Sequence, residues 1–248
     1  MLQDLPLHDI NTKRNNQYVN KTTYWGGTDT EENFQEQSII HLYDRDLKTY
    51  RENPIEYVHN NYGFRTPDNF EQGDAGTVFL GSSHTSGIGH YLENTWSYIL
   101  SQELEGKFLN LSRTGLGIGG GFRILNYFKD ILDIKRVIMF FPHQTRYDYF
   151  DPVSGNYRTI SERREGFKEL KKVLLHKNNY KLYYTMALYG IKSVCHEIGA
   201  ELIYKESFDD IPLIPNPNSH LKVQAPRDMK HVSVHHQYSL YKYFQNLI

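Results

Sequence analysis

The apolar positions of this chain change their pattern near Gly76. Residues 1–70 are polar and rich in Asn, Thr, Asp, Glu and Tyr, and few apolar positions recur periodically. The apolar positions that do recur predict short helices near residues 34–42 and 46–51. We therefore expect residues 1–70 to form an N-terminal extension that packs on a main domain comprising residues 71–248.

Beyond Gly76, short apolar runs alternate with helical patterns. The runs predict buried strands at residues 77–80, 107–111, 137–141 and 200–204, with a fifth near 221–224. Apolar residues three and four positions apart predict helices at residues 92–104, 122–132, 161–177, 180–198 and 234–247. This alternation is typical of an α/β fold, so we expect a mostly parallel five-stranded sheet with helices on both faces.

Composition narrows the class of partner. Lys and Arg number 28 against 29 Asp and Glu, so there is no strong field of one sign and nucleic acid is not an expected partner. A single cysteine excludes a disulfide within the chain. No apolar run reaches the ~18 residues of a membrane helix. We expect a soluble chain without membrane insertion, cytoplasmic by default, with export routes other than a cleaved signal left open.

The first candidate chemistry follows the first predicted strand, where the chain reads Gly81-Ser-Ser-His-Thr-Ser-Gly-Ile-Gly89. Ser83 would lie at the carboxyl edge of the sheet, where open α/β proteins bind ligands. Its hydroxyl can face a substrate while backbone N–H groups of the turn face a developing oxyanion. The alternative is a serine-rich loop that only caps the next helix.

A second candidate segment lies near the C-terminus. A serine hydroxyl needs a base to take its proton, usually a histidine oriented by an acid. Asp228 and His231 are three residues apart in a loop before a helix, so both can face one site. His235 and His236 lie in the helix and lack an acid at that spacing. The alternative is a surface loop with chance histidines, in a chain that holds 12.

Together the two segments resemble the SGNH (GDSL-type) hydrolases. The first is similar to the family block Gly-Asp-Ser-x-Thr-x-Gly-x-Gly, with Ser82 in the place of the usual Asp, and the second to the block Asp-x-x-His. The resemblance covers about residues 60–248 and implies a three-layer, flavodoxin-like α/β/α fold. It also implies that Ser83 is the nucleophile, His231 the base and Asp228 the acid that orients the imidazole.

The resemblance to the family's oxyanion hole is weaker. The family takes its donors from the nucleophile's N–H, from a glycine after the second strand and from an asparagine after the third. Gly115 matches the glycine, but the third strand runs into Phe141-Pro-His-Gln144, which has no asparagine. His143 or Gln144 would have to donate instead. A variant oxyanion hole and a reduced activity are both consistent with this change.

Three more residues are candidates for substrate contact, namely His84, Arg65 and Arg146. The segment Asn60-Asn-Tyr-Gly-Phe-Arg65 resembles one that precedes the first block in some SGNH esterases and acyltransferases. Arg65 would contact substrate or anchor the extension. Anchoring is favoured, because most surface Arg residues pack their stems without a special role.

The resemblance implies a serine esterase that works through an acyl-Ser83 intermediate, without a cofactor. The partner would be a small-molecule or glycan ester, with O-acetyl groups of a carbohydrate as the first candidate because 20 tyrosines suit a polar, aromatic surface. Those tyrosines can equally cover the edge of the core. Two alternatives remain: an O-acyltransferase, and a non-catalytic glycan-binding or structural protein with the same fold.

Other chemistries have weaker support. The run Gly115-Leu-Gly-Ile-Gly-Gly120 fits a dinucleotide fingerprint, but no acid follows the next strand to bind a ribose. No histidine pair has a recognised metal-ligand spacing with a nearby acid, so no metal site is expected. Cys195 lies in an apolar helical stretch and is expected in the core.

Overall fold

The protein is described here by a computed structural model covering residues 17–40, 44–142, 144–151, 153, 156–161, 168–228 and 230–248. The strands are β1 Thr22–Thr23, β2 Tyr57–Val58, β3 Ala75–Gly81, β4 Lys107–Asn110, β5 Asp133–Phe140, β6 Tyr147–Asp151, β7 Asn156–Ile160 and β8 Glu201–Lys205. The α-helices are α1 Glu31–Ile40, α2 Asp44–Glu52, α3 Ser83–Ser86, α4 Trp96–Ser101, α5 Ile118–Phe128, α6 Lys168–Leu174, α7 Lys177–Glu197 and α8 Val234–Gln245.

Four parallel strands form the central sheet, in the order β4-β3-β5-β8. Strand β3 comes first in the chain, and it pairs with β4 on one side and with β5 on the other. The connection after β3 therefore runs toward one edge of the sheet and the connection after β5 toward the other. A crevice forms between them at the carboxyl ends of the strands. The loops that follow β3, β4 and β5 begin at this edge, and they carry Ser83, Gly115 and Gln144.

The sheet is covered on both faces because its strands are apolar on both sides. Val78 and Leu80 belong to one core cluster and Phe79 to another, as expected for side chains that alternate across a strand. Helices α5 and α7 complete the first cluster, chiefly with Ile124, Leu125, Phe128, Tyr184, Ile191 and Val194. Helices α4 and α8 complete the second, chiefly with Trp96, Leu100, Leu240, Tyr241 and Phe244. The chain thus has the α/β architecture that the alternating pattern predicts.

The prediction of a fifth strand near residues 221–224 is wrong. His220–Lys222 forms a short 3₁₀ turn in which Leu221 has a left-handed φ of 53°, and Val223 and Gln224 are irregular. Left-handed backbone is incompatible with a strand. The apolar side chains here pack elsewhere, since Val223 is buried with Val234 against the extension.

Several helix boundaries also differ from the prediction. The predicted helix over 92–104 is a 3₁₀ turn, Leu92–Asn94, followed by the shorter α4. Helix α5 starts four residues before the predicted 122, because its glycines let the helix approach the sheet. A Cβ on Gly121 would lie 2.7 Å from the Phe141 ring. Within the predicted helix 161–177, α6 covers Lys168–Leu174, and residues 162–167 lie outside the described ranges.

Two features are absent from the sequence prediction. The antiparallel hairpin β6–β7 follows the third strand of the parallel sheet. Within the extension, β1 pairs with β2, and Phe34, Tyr50, Ile55 and Tyr57 form an apolar cluster with Ile88 and Tyr91 of the main domain. No helix in the described ranges is both long and apolar enough to cross a bilayer.

Candidate functional site

The turn that carries Ser83 is held tightly at the end of β3. A Cβ on Gly81 would lie 2.1 Å from Thr85 Oγ1 and 2.7 Å from the Phe140 carbonyl oxygen, so only glycine fits there. Ser82 caps α3 in extended conformation, and Ser83 is the first helical residue. Its backbone N–H therefore has no partner within the helix. The Ser83 side chain is nearly buried, at 4% exposure.

The other end of α3 is fixed by a buried amide from the C-terminal helix. Gln237 Nε2 donates to the His84 carbonyl at 3.1 Å, and Gln237 Oε1 accepts from the Trp96 backbone N–H at 3.1 Å. Ser97 Oγ donates to the Thr85 carbonyl at 2.9 Å. Helix α3 is therefore tied to both helices on its side of the sheet.

Asp228 and His231 form a hydrogen-bonded pair. Asp228 Oδ2 lies 2.6 Å from His231 Nδ1, while the backbone N–H groups of Lys230 and His231 donate to Oδ1 at 3.2 and 3.3 Å. Asp228 is fully buried. Burial alone would raise the pKa of Asp228, but the hydrogen bonds from His231 and Thr28 outweigh it and hold that pKa below its usual value. The carboxylate is therefore ionised and fixes the orientation of the imidazole.

The structure brings the two predicted segments together. The ring of His84, next to Ser83, lies 5.2 Å from the His231 ring, centroid to centroid. Gly89 has a positive φ of 80°, and a Cβ there would lie 2.7 Å from Asp228 Oδ1. No hydrogen bond between Ser83 Oγ and His231 is present in the described part of the chain. The predicted base and the predicted nucleophile thus lie near one another without a hydrogen bond between them.

Thr28 is a contributor that sequence reasoning missed. Its hydroxyl donates to Asp228 Oδ2 at 2.6 Å, the same oxygen that contacts His231 Nδ1. Because Thr28 belongs to the extension, 200 positions before Asp228, no local pattern connects the two residues. The extension therefore forms part of the environment of the candidate acid.

A buried ion pair next to Asp228 attaches the extension to the same loop. Arg227 donates from Nη2 to Asp29 Oδ2 at 2.6 Å and from Nε to Oδ1 at 2.9 Å, with both side chains almost fully buried. The guanidinium lies over the Trp25 ring at 4.0 Å, and Tyr57 donates its hydroxyl to Asp29. These contacts fix the backbone of Arg227 and hence the start of the Asp228 loop.

His90 is a second histidine close to this pair, and it is fully buried. Neither of its ring nitrogens has a hydrogen-bond partner in the described part of the chain. Burial, together with nearby His231, lowers the pKa of His90 to about 3. His90 is therefore neutral at ordinary pH and adds no charge to the site.

The predicted oxyanion donors lie at the same sheet edge but are only partly described. Gly115 has a φ of 78° in a turn closed by the Leu116 N–H and the Arg113 carbonyl, and its α-carbon faces open space. Gln144 is half-buried. His143 lies outside the described residues. Space for a substrate atom therefore exists beside the Gly115 turn.

Two of the three predicted substrate residues have structural contacts of their own. Arg146 Nη1 donates to the Leu116 carbonyl at 3.1 Å, which braces the Gly115 turn. Arg65 is buried and donates to the carbonyls of Ser86, Gly87 and His90, which is the anchoring arrangement.

The third of these residues, His84, is 6% exposed. Its ring packs edge-on against Phe208 at 5.2 Å, in addition to its contact with His231.

The N-terminal end of α5, where the dinucleotide fingerprint would place a pyrophosphate, is occupied by a side chain of the protein. Asp148 Oδ2 accepts from the Gly120 N–H at 2.7 Å and lies 3.9 Å from Arg123 Nη2. The other carboxylate oxygen accepts from Thr159 Oγ1 at 2.6 Å. A carboxylate that already fills the anion position of this helix disfavours dinucleotide binding.

Two candidates remain, a metal site and Cys195. The described residues include no group of three or more His, Cys, Asp or Glu side chains placed to hold a metal ion. Cys195 is buried in α7, and burial raises the pKa of its thiol to about 11. A protonated, buried thiol is a poor nucleophile.

Comparison with known proteins gives no family assignment, because no protein-family model and no curated protein matches the chain significantly.

Proposed function

We propose that this protein is a serine hydrolase of the SGNH (GDSL) type that cleaves a carboxylic ester. The observation that carries the proposal is the buried Asp228 carboxylate at 2.6 Å from His231 Nδ1, with the His231 ring against the ring of His84, the neighbour of Ser83. A carboxylate on Nδ1 leaves Nε2 as the nitrogen that can accept the serine proton. The strand order β4-β3-β5-β8 agrees with a four-stranded version of the flavodoxin-like order.

In the proposed reaction His231 Nε2 takes the proton of Ser83 Oγ as the oxygen attacks the ester carbonyl. The N–H groups of Ser83 and Gly115, with His143 or Gln144, stabilise the oxyanion, and the alcohol leaves with the proton from His231. Water then attacks the acyl-Ser83 with His231 again as the base. The missing Ser83–His231 hydrogen bond is compatible with this scheme, because catalytic hydrogen bonds are often long without substrate and tighten with it.

The test compares hydrolysis of 4-nitrophenyl acetate by the wild-type protein and by Ser83→Ala. We expect a loss of kcat of at least about 10³-fold, because the acyl-enzyme route is removed. Asp228→Asn should lose about 10⁴-fold with the fold intact, as the imidazole then adopts the wrong tautomer. Equal rates for wild type and Ser83→Ala would remove Ser83 as the nucleophile.

A non-catalytic glycan-binding protein is the second candidate, favoured by the lack of direct contact between Ser83 and His231 and by a third strand that ends without asparagine. A fluorophosphonate probe separates the two. Labelling that disappears in Ser83→Ala supports the hydrolase, whereas no labelling of the wild type supports the binding protein. An O-acetylated carbohydrate is the proposed substrate, and transfer to a sugar instead of water is the variant to test with a sugar acceptor.

A further inference from the structure

Helices α6 and α7 expose an apolar stripe to solvent. Twelve large apolar side chains are exposed in the described part of the chain, and five of them belong to these two helices, namely Leu170, Val173, Leu182, Met186 and Tyr189. In α7, positions 182, 186 and 189 are four and three residues apart, so they lie on one face of the helix. The opposite face of α7 packs on the core through Tyr184, Ile191, Val194 and Cys195. The stripe is therefore not part of the protein interior.

The β6–β7 hairpin contacts the same end of α7 and exposes two more apolar side chains. The ring of Tyr147 stacks on that of Tyr183, next to Leu182 in the chain, with 4.2 Å between centroids. Phe150 of β6 and Val153 of the turn are both exposed. Single exposed apolar residues are common on protein surfaces, but a group of them concentrated in one region marks an interaction surface.

The same two helices concentrate positive charge. Residues 168–197 contain six lysines and two glutamates, a net charge of +4, whereas the whole chain carries −1. Lys181 and Lys192 are exposed, and at 3.6 residues per turn they lie along the same side of the stripe formed by positions 182, 186 and 189. The Lys192 ammonium lies 5.5 Å from the centroid of the Tyr189 ring. The balanced composition thus hides a local excess of positive charge beside exposed apolar side chains.

Charge distinguishes between the possible partners of this surface. A second copy of the chain would place the lysines of one stripe against those of the other, because a two-fold interface uses the same patch on both subunits. Like charges opposed in this way destabilise a complex. A polyanion such as nucleic acid would leave the apolar side chains in water. An anionic bilayer suits both features, since its headgroups attract lysines and its acyl boundary accepts apolar side chains.

We infer that helices α6 and α7 bind the surface of an anionic lipid bilayer. Leu182, Met186 and Tyr189 enter the boundary between headgroups and acyl chains, while Lys181 and Lys192 stay at the headgroups. The chain lies on the bilayer and does not cross it, in keeping with the lack of any spanning helix in the described ranges. This surface contains neither Ser83 nor His231, so the inference does not rest on the proposed reaction.

The charge test is co-sedimentation of the full chain with vesicles of phosphatidylcholine, with and without phosphatidylserine. We expect binding to be at least about tenfold tighter when phosphatidylserine is present. The double variant Lys181→Gln, Lys192→Gln should weaken this binding about 25-fold, because each lysine near an anionic surface contributes about fivefold. The matched control is Lys48→Gln, Lys135→Gln, which removes two exposed lysines elsewhere and should leave binding close to the wild-type level.

A second pair of variants tests the apolar half of the surface. Leu182 in α7 and Leu213 in the loop after β8 are matched in exposure, at 61% and 58%, so neither substitution should unfold the protein. Leu182→Gln should weaken binding to the phosphatidylserine vesicles about tenfold, because a leucine side chain buried in the bilayer contributes at least about that factor. Leu213→Gln should bind as the wild type does.

Three results would overturn the inference. The first is equal binding to the two kinds of vesicle, or binding to neither. The second is binding that falls in the lysine variant but is unchanged in Leu182→Gln, which would indicate a contact with any polyanion. The third is self-association in sedimentation velocity without vesicles that Leu182→Gln abolishes, which would identify a second copy as the partner. Ser83→Ala should bind vesicles normally, so the proposed reaction can fail without affecting this test.

Discussion

The two halves of the candidate site differ in how completely their polar groups are satisfied. In the acid half, Asp228 accepts hydrogen bonds on both carboxylate oxygens, from Thr28 and His231 side chains and from two backbone N–H groups. In the nucleophile half, the hydroxyls of Ser82 and Thr85 are buried with no partner in the described part of the chain. A buried, unpaired hydroxyl costs about 1–3 kcal/mol, so Ser82 and Thr85 lower the stability of the nucleophile half, whereas both oxygens of the Asp228 carboxylate have hydrogen-bond donors.

The two halves are also held by different parts of the molecule. The acid half is held by the extension through Thr28 and through the Asp29–Arg227 ion pair. In the nucleophile half, Gln237 and Ser97 hold α3, but Ser83 has no hydrogen bond to His231, so one of these two side chains would have to change position for the proposed proton transfer. We expect perturbations of the acid half to have large effects and those of Ser82 to have small ones.

The largest expected effect comes from breaking the ion pair that fixes the acid half. Asp29→Asn leaves Arg227 buried without its countercharge and should lower the free energy of unfolding by about 3–5 kcal/mol. Urea denaturation measures it. Glu201→Gln is the matched control, because it breaks a half-exposed pair with Arg136 and should cost less than about 1 kcal/mol. Equal losses for the two variants would mean that the acid half is not specially fixed.

A smaller effect is expected from substitution of Thr28, whose hydroxyl positions the Asp228 carboxylate. Thr28→Val removes one hydrogen bond to a charged oxygen, worth about 1.5–3 kcal/mol, so kcat/KM for 4-nitrophenyl acetate should fall about 10- to 100-fold. Loss of this donor also raises the pKa of Asp228 from its lowered value, so the stability that the ionised carboxylate contributes should be lost at a higher pH as the solution is acidified.

Thr28→Ser is the control for that variant, since it keeps the hydroxyl and should restore both the rate and the pH dependence of stability. A Thr28→Val protein with reduced stability but an unchanged kcat/KM would limit Thr28 to a structural role.

His90 provides a third, pH-dependent effect. Its pKa is about 3 in the folded protein against about 6.5 when unfolded, so only the unfolded state takes up the proton in between. Its contribution to stability is therefore complete above pH 6.5 and is lost as pH falls toward 3. From pH 7.5 to 5.5 the loss should be about 1 kcal/mol. Urea midpoints at the two pH values should differ less in His90→Leu than in the wild type, and an unchanged difference would contradict the assignment.

The sequence predicts the two halves unequally, for physical reasons. The two central strands, β3 and β5, are buried on both faces along most of their length, so each appears as an apolar run that is visible without any structure. The turn with Ser83 and the loop with Asp228 and His231 carry local motifs. Thr28 and Asp29 carry none, because their contacts span about 200 positions of a polar segment.

The errors have equally specific causes. The apolar run at 221–224 is too short to distinguish a strand from a turn, and its residues pack against the extension instead. The hairpin β6–β7 pairs Tyr149 with Arg158 and Phe150 with Tyr157, an alternation that the charged flanking sequence obscures. The sequence between its two strands, Pro152-Val-Ser-Gly155, contains a signal that favours a hairpin, since Pro and Gly are typical of hairpin turns.

The smallest predicted effect is the most direct test of the comparison, because the chain offers two buried serines just after neighbouring strands. Ser82 follows β3 and Ser112 follows the neighbouring β4, and their exposed fractions are 1% and 2%. Ser112 Oγ donates to Asn110 Oδ1, whereas Ser82 Oγ has no partner in the described ranges. Ser112→Ala should therefore cost about 1 kcal/mol in the free energy of unfolding, while Ser82→Ala should cost about zero or stabilise slightly. Similar costs for both variants would show that Ser82 is satisfied in solution, and the two halves of the site would then not differ.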